Sequence, residues 1–259
     1  NDLAGLSLEE MVESRIVLEH GETPWQLKHG PFDDETYSTL PERDWTLLVQ
    51  AVDQFSPDVA EVLEHFKFLP NWRIDDVMIS FAVPGGSVGP HYDNYDVFLL
   101  QAEGQRQWKI GQMCDNESLL LKHPDLRILD SFQQTDEWTL EPGDMLYLPP
   151  RWAHDGIAQG ECMTYSVGFR VPERTDLAQE LLVRLADEDD SATAAQLYRD
   201  AKQPAVAQPA EIPATLQEFA RDALQRALAQ PRALERALGE YLTEPKSNVW
   251  FEPGPEGVL

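Results

Sequence analysis

Two histidines and one aspartate constrain the fold of this chain more than any other feature. His91 and Asp93 are two positions apart, and side chains at i and i+2 of a β-strand point to the same side. His154 ends the run at residues 148–154, so it must come from a later strand. Two imidazoles and a carboxylate suit a non-haem Fe(II) ion and leave open positions for a co-substrate and O₂. An exposed loop or a core histidine is the alternative, because H-x-D is frequent by chance.

Arg106 is a candidate for the same site. The segment at 105–110 alternates in polarity, which places Arg106 on one face with Trp108 and Ile110. An arginine on an apolar face is costly unless an anion meets it, so the pattern favours an anionic ligand. A side chain that snorkels outward to solvent explains the same pattern. This segment alone does not distinguish the two.

Several motifs, in one order, give the chain a resemblance to a known family. Residues 75–170 resemble the core of the JmjC-type ribosomal oxygenases, and most of all the bacterial YcfD type, the ribosomal protein arginine hydroxylases. The motifs are GPHYDNYDVFLLQ at 89–101, GQRQW at 104–108, EPGDMLYLPP at 141–150 and YSVGFR at 165–170. Similarity in the part beyond is weaker.

The resemblance implies a mainly β fold with added helices, a cupin-like double-stranded β-helix or jelly roll. It also implies a dioxygenase that uses Fe(II), 2-oxoglutarate and O₂, with the metal held by His91, Asp93 and His154. Arg106 is assigned to the distal carboxylate of 2-oxoglutarate, where eukaryotic relatives carry lysine. The implied substrate is an arginine side chain of a basic large-subunit ribosomal protein, hydroxylated on carbon.

The last strand of this region offers room for the co-substrate. Between residues 162 and 169, small or polar residues alternate with large apolar ones, so the strand has two unlike faces. We expect the small face to line the barrel interior, with Ser166 or Thr164 bonded to the distal carboxylate beside Arg106. Close packing against a neighbouring backbone is the alternative.

The chain divides into three predicted segments. Residues 1–172 form the catalytic domain, 173–245 a helical region and 246–259 a tail. Apolar residues at helical spacing predict two helices inside the catalytic domain, at 6–13 and 45–55. The family's winged-helix domain is expected to be absent. A first residue other than methionine leads us to expect a fragment or a processed product.

The helical region carries its own start signals. Apolar spacing predicts a helix at 176–186, and a Pro/Ala-rich linker follows at 203–213. Thr215 and Glu218 form a capping box that opens the next helix, and Pro231 opens another. The resemblance implies a helical dimerisation module and hence a homodimer. A helical cap on the same subunit is the alternative.

Charge and cysteine content limit the partners and the compartment that we expect for this chain. The formal net charge of −26 argues against direct binding to nucleic acid and suits a basic protein partner. Solubility or adaptation to salt explains so much acid equally well. Two cysteines give no disulfide framework, which favours the cytoplasm. No apolar run in the sequence is long enough to cross a bilayer, so no membrane partner is expected.

Three functions remain open at this stage. The first is a ribosomal arginine hydroxylase, and the second is a JmjC oxygenase that hydroxylates histidine or demethylates lysine. The third is a cupin-like module that binds a metal or a small acid without oxidation. Three residues, Asp75, Asp76 and Ser80, lie near the expected mouth of the barrel and are candidates to contact a cationic side chain.

Overall fold

The computed structural model describes residues 2–20, 24–187, 196–201, 204, 208 and 210–244. They fall into two compact units, which divide between Val171 and Pro172. The predicted tail at 246–259 lies outside the described residues, as do residues 203, 205–207 and 209 of the predicted linker at 203–213.

Strands make up most of the first unit. They are β1 (Ser14–His20), β2 (Pro24–His29), β3 (Trp45–Val49), β4 (Ile74–Ala82), β5 (Val97–Glu103), β6 (Arg106–Met113), β7 (Asp136–Leu140), β8 (Met145–Leu148), β9 (Trp152–Ala158) and β10 (Cys162–Phe169). The larger antiparallel sheet has the order β2-β1-β3-β4-β10-β5-β8, and the smaller one has the order β7-β6-β9. The chain therefore crosses from one sheet to the other between β5 and β6.

The main core of this unit includes helices and one face of the larger sheet. The helices of the unit are α1 (Asp2–Leu6), α2 (Asp34–Ser38) and α3 (Pro57–Glu64). Val167 and Phe169 of β10 belong to this core, together with Val59 of α3. The neighbouring Ser166 and Gly168 line an interior cavity instead. Two residues of the small face thus line the cavity, whereas Cys162 and Thr164 are not part of its lining.

The predicted helix at 45–55 is wrong. Residues Trp45–Val49 form strand β3, and only a short 3₁₀ turn, Val52–Gln54, follows. Strand β3 pairs with β1 on one side and with β4 on the other. A central strand that is buried on both faces has a continuous apolar run, and such a run also satisfies helical spacing. Ala51, with φ 53°, ends the extended segment.

The predicted helix at 6–13 is wrong, since helix α1 ends at Leu6 and residues 7–13 are not helical. Ser7 is fully buried, and its hydroxyl donates to the Ala4 carbonyl over 2.7 Å. The Ser7 carbonyl accepts from the Phe32 amide at 2.9 Å. That carbonyl is therefore engaged outside the helix, and the chain turns away towards β1.

The second unit consists of helices α4 (Arg174–Asp187), α5 (Ala214–Ala229) and α6 (Ala233–Thr243). Its small core contains Leu185 of α4 and two alanines of α6, Ala233 and Ala237. Leucines of α5 are more open, since Leu224 and Leu228 are 56% and 55% exposed. None of the helices in the described ranges combines the length and the apolar character that a membrane span needs.

In this unit, the apolar spacing predicted the helices better than the capping signals predicted where they begin. Helix α5 begins at Ala214 with Pro213 as its N-cap, which makes no side-chain capping hydrogen bond, so the predicted capping box is wrong. The Thr215 hydroxyl lies 2.6 Å from the Tyr198 hydroxyl instead. Helix α6 begins two residues after Pro231. The proline side chain has no oxygen that could accept from the amides of the first turn, so Pro213 cannot act as a side-chain cap.

Candidate active site

The three predicted metal ligands meet at one point in the first unit. His91 and His154 exchange two backbone hydrogen bonds, of 3.0 and 2.8 Å, and the Arg151 amide donates to the Asp93 carbonyl at 2.7 Å. These bonds hold the 91–93 segment against β9. Potential ligand atoms of His91, Asp93 and His154 all lie within 4.8 Å of one another, a separation that one metal ion can span.

Both imidazoles are oriented by the backbone. Nδ1 of His91 lies 2.8 Å from the Gly89 carbonyl, and Nδ1 of His154 lies 2.9 Å from the Trp152 carbonyl. Because a carbonyl only accepts, each Nδ1 carries the proton and donates it. Each Nε2 therefore presents a lone pair, and such outer hydrogen bonds are typical of metal-binding histidines. The donor set and its orientation fit a divalent metal.

The protonation state of His154 suits the same role. The ring is 3% exposed. Burial, and then the neighbouring His91, lower the pKa of His154 to about 4. The imidazole is therefore neutral at physiological pH, which is the form that binds a metal.

Arg106 is the first residue of β6 and is 5% exposed, so it does not snorkel to solvent. Its Nη1 donates to the Ser80 hydroxyl over 3.1 Å. Its Nε and Nη2 have no hydrogen-bond partner among the described residues. Burial lowers the pKa of this guanidinium, but an arginine stays charged in proteins. A buried cation with two unpaired donors is a strong site for an anion.

One cavity of about 180 Å³ brings most of the predicted residues together. It is lined by His91, Asp93, His154, Arg106 and Ser166, among others. Thr164, by contrast, is not part of the lining, and its hydroxyl donates to Oε1 of Gln101 over 3.0 Å. The alternation along β10 gives the correct face for both residues. It does not tell which of them reaches the cavity.

Acidic residues stand in the same cavity lining. Asp76 is 2% exposed and accepts from Gln50 Nε2 at 2.7 Å and from the Ala51 amide at 3.0 Å. Asp75 accepts from Arg170 Nε at 3.1 Å. Both carboxylates line the cavity, as the sequence suggested. Ser80, named with them as a possible contact of a cationic side chain, contacts the protein's own Arg106.

Two residues that line the cavity, Tyr95 and Gln50, were not predicted from the sequence. Tyr95 lines the cavity, and burial, then the charge of Asp93, raise the pKa of its hydroxyl. The alternation that selected His91 and Asp93 reaches Tyr95 two residues later, so the signal was present. Gln50 gave no signal, because it follows β3, the segment predicted to be helical.

Residues 61–177 match the family model of the JmjC domain. Over 216 residues the chain is 44% identical to the ribosomal protein uL16 3-hydroxylase of Escherichia coli (strain K12), covering 82% of this chain and 55% of the relative. It is 39% identical over 178 residues to the probable ribosomal oxygenase of Haemophilus influenzae, covering 68% and 44%. The chain thus spans about half the length of these relatives.

Solved structures give the same picture. The X-ray structure of E. coli ycfD superposes with a TM-score of 0.80 at 39% identity, over 95% of this chain and 64% of that one. The structure of E. coli YcfD, a ribosomal oxygenase, in complex with cobalt and 2-oxoglutarate gives 0.76 at 38% identity, over 95% and 63%. The predicted fold, a cupin-like JmjC barrel with added helices, is confirmed. The chain belongs to the JmjC-domain family, and its similar relatives there include bacterial ribosomal oxygenases of the YcfD type.

Proposed function

We propose that this chain is an Fe(II)- and 2-oxoglutarate-dependent oxygenase that hydroxylates an arginine side chain of a large-subunit ribosomal protein. One observation carries the proposal: a His-Asp-His set and a buried arginine with two unpaired donors line the same cavity. A cupin-like module that binds only a metal has no need for the second feature, and one that binds a small acid would need no open metal position beside it. The relatives named as a uL16 3-hydroxylase and as a ribosomal oxygenase support the assignment.

His91, Asp93 and His154 would hold the metal through two imidazole nitrogens and one carboxylate. Three protein ligands on one side leave positions for a co-substrate and O₂, the arrangement of non-haem Fe(II) oxygenases. When bound, iron supplies the activation of O₂ that an unactivated C–H bond requires. The protein's part is to orient both imidazoles, which the Gly89 and Trp152 carbonyls do.

Arg106 would bind the distal carboxylate of 2-oxoglutarate. Its unpaired Nε and Nη2 can donate to the two oxygens of one carboxylate, a charge-assisted and bidentate arrangement. Ser80 fixes the guanidinium from the side through Nη1. Ser166 lines the same cavity and offers a further hydroxyl, whereas the Thr164 hydroxyl is engaged with Gln101. Of the two predicted serine and threonine contacts, the geometry favours Ser166.

The acidic groups of the cavity favour a cationic substrate. A guanidinium cannot lose its charge at neutral pH, so its pocket needs acceptors. Asp76 and Asp75 line the cavity and would supply such acceptors in addition to the hydrogen bonds they already make. The net charge of −26 would also speed the encounter with a basic ribosomal protein. A substrate of this kind places the reaction in the cytoplasm, and no direct contact with nucleic acid is required.

The helical unit would join two copies of the chain. Helix α5 keeps Leu216, Leu224 and Leu228 at least 37% exposed, and exposed apolar stripes mark interfaces. The small core of this unit, around Leu185, leaves these side chains without cover. A second copy would cover them.

The test is mass spectrometry of a substrate fragment. The protein is incubated with Fe(II), 2-oxoglutarate, O₂ and arginine-containing fragments of uL16. We expect one oxygen atom to be added to an arginine, and no addition without 2-oxoglutarate or with His154→Ala. Oxygen on histidine, or loss of a methyl group from lysine, would assign the chain to another JmjC activity. No oxidation of any residue would leave only a binding module.

A further inference from the structure

Gln101 is a fully buried polar residue at the point where the chain leaves the larger sheet. It lies on β5, ahead of the crossing at Gly104 and Gln105 that leads into β6. Its Nε2 donates to the Glu103 carbonyl at 2.8 Å and lies 3.5 Å from the Gly104 carbonyl. The side chain thus holds the backbone directly ahead of Arg106.

Thr164 fixes the orientation of the Gln101 amide. Its hydroxyl donates to Oε1 of Gln101 over 3.0 Å, and Thr164 is 1% exposed. Because Oε1 accepts this bond, Nε2 must face the crossing. The Thr164 carbonyl in turn accepts from the Ser80 hydroxyl at 3.4 Å, and Ser80 accepts from Arg106 Nη1 at 3.1 Å. Thr164 therefore connects the backbone ahead of Arg106 with its guanidinium.

The crossing itself has little freedom to adjust. Gly104 has a φ of +62°, and a Cβ at this position would lie 2.1 Å from the Glu161 carbonyl. The pairing of β5 with β10 also shifts register between Met163 and Thr164. A register shift interrupts the ladder and leaves backbone groups for other partners. The Gln101 amide supplies the partner for the Glu103 carbonyl.

We propose that Gln101 and Thr164 are positioning residues that aim the Arg106 guanidinium at the distal carboxylate of the co-substrate without touching it. The inference rests on the proposed function, in which Arg106 binds 2-oxoglutarate. A side chain that is already held in its bound geometry loses less conformational entropy when the ligand binds. The network should therefore raise the affinity for the dicarboxylate. None of its hydrogen bonds reaches a metal ligand, so metal affinity should be independent of it.

The experiment compares Thr164→Val, which removes only the hydroxyl, with Thr164→Ser, which keeps it. The dissociation constant of 2-oxoglutarate is measured by calorimetry on the full chain loaded with Mn(II). Thr164→Val should weaken 2-oxoglutarate roughly three- to tenfold, the effect of one buried hydrogen bond. Thr164→Ser should stay within about twofold of the unmodified protein on the same scale. Mn(II) affinity should be unchanged in both.

Thr46→Val is the matched control. Thr46 is fully buried on β3 of the same sheet, and its hydroxyl has no hydrogen-bond partner among the described residues. The substitution is the same in size and polarity but lies outside the network. It should leave 2-oxoglutarate affinity unchanged. Gln101→Met, which keeps the volume and removes the amide, is a second variant and should repeat the loss seen with Thr164→Val.

A double-mutant cycle separates positioning from a general structural effect. If the network acts through Arg106, then Thr164→Val should have no further effect on 2-oxoglutarate affinity in an Arg106→Ala background. Normal affinity in both Thr164→Val and Gln101→Met would overturn the inference, and so would a loss that persists without Arg106. Failure of the unmodified Mn(II) protein to bind 2-oxoglutarate would instead refute the proposed function.

Discussion

The two units of the chain bury their side chains in different ways. The first unit buries polar groups as well as apolar ones, including Arg106, Gln101 and Thr164 inside its barrel. The second unit has a core of one leucine and two alanines, and it leaves large leucines of α5 open. A buried polar network specifies one arrangement when its members are paired. An open apolar stripe specifies nothing until a partner covers it.

This difference indicates what each unit needs to function. In the first unit, Asp75 and Asp76 of the cavity are hydrogen-bonded within the chain, and Arg106 has donors left for a ligand. Its site should therefore respond to single substitutions in the cavity. In the second unit, substitutions on the exposed stripe of α5 should change the assembly and leave the site unaffected.

Loss of a metal ligand should have the largest effect. His154→Ala removes one of the three protein ligands and should lower Mn(II) affinity by about a hundredfold or more, since even outer-shell changes cost 10–100-fold. The barrel should remain folded, as judged by circular dichroism and thermal unfolding. Mn(II) titration followed by electron paramagnetic resonance is the measurement. His65→Ala, an exposed histidine of the same unit, is the control. Unchanged Mn(II) affinity in His154→Ala would contradict the assignment.

Loss of the carboxylate anchor should come next. Arg106→Ala removes a charge-assisted contact of about 1.5–3 kcal/mol, so 2-oxoglutarate affinity should fall roughly tenfold or more. Mn(II) affinity should stay the same, because Arg106 is not a ligand. Calorimetry on the Mn(II) protein gives both values. Arg127→Ala, an exposed arginine, serves as the control. An Arg106→Ala protein with normal 2-oxoglutarate affinity would show that the anion binds elsewhere.

Substitutions in the second unit should change the oligomeric state and not the binding of ligands. Leu224→Glu combined with Leu228→Glu places charges on the exposed stripe of α5 and should turn a dimer into a monomer. Mn(II) and 2-oxoglutarate affinities should not change. Light scattering measures the mass. A monomer for the unmodified chain would refute the dimer, and a dimer that survives both substitutions would place the interface elsewhere.

The smallest effect is expected at Thr46. Its buried hydroxyl lacks a hydrogen-bond partner among the described residues. The desolvation of this hydroxyl on folding therefore destabilises the protein, and no hydrogen bond offsets it. Thr46→Val should therefore raise the free energy of unfolding by about 1 kcal/mol. That gain corresponds to about 2–4 °C in Tm for a chain of this size. Differential scanning calorimetry is the check. A marked loss of stability would mean that the hydroxyl has a partner after all.

The metal ligands were predictable because chemistry restricts them. A spacing of two puts His91 and Asp93 on one side, and His154 follows at the end of a distinct motif. The structure brings the three together, although His91 pairs through a single bridge and not within a long strand. The Gln101–Thr164 contact could not be predicted. It depends on the register of β5 against β10, which a single sequence does not reveal.

The fold was predictable where periods were unambiguous. The unlike faces of β10 and the helical spacing of α4 gave the correct element type. The prediction for β3 was wrong because an apolar run that is buried on both faces fits the helical period and the strand period equally well. The capping box failed because Thr215 lies inside α5, one residue after its start. Local signals of a few residues were overruled by tertiary contacts in both cases.

A crystal structure of the chain with Mn(II) and 2-oxoglutarate tests the central claim most directly. The account predicts the ion on His91, Asp93 and His154, and the distal carboxylate within hydrogen-bond distance of Arg106 and Ser166. A co-substrate carboxylate bound elsewhere, with Nε and Nη2 of Arg106 still unpaired, would contradict it.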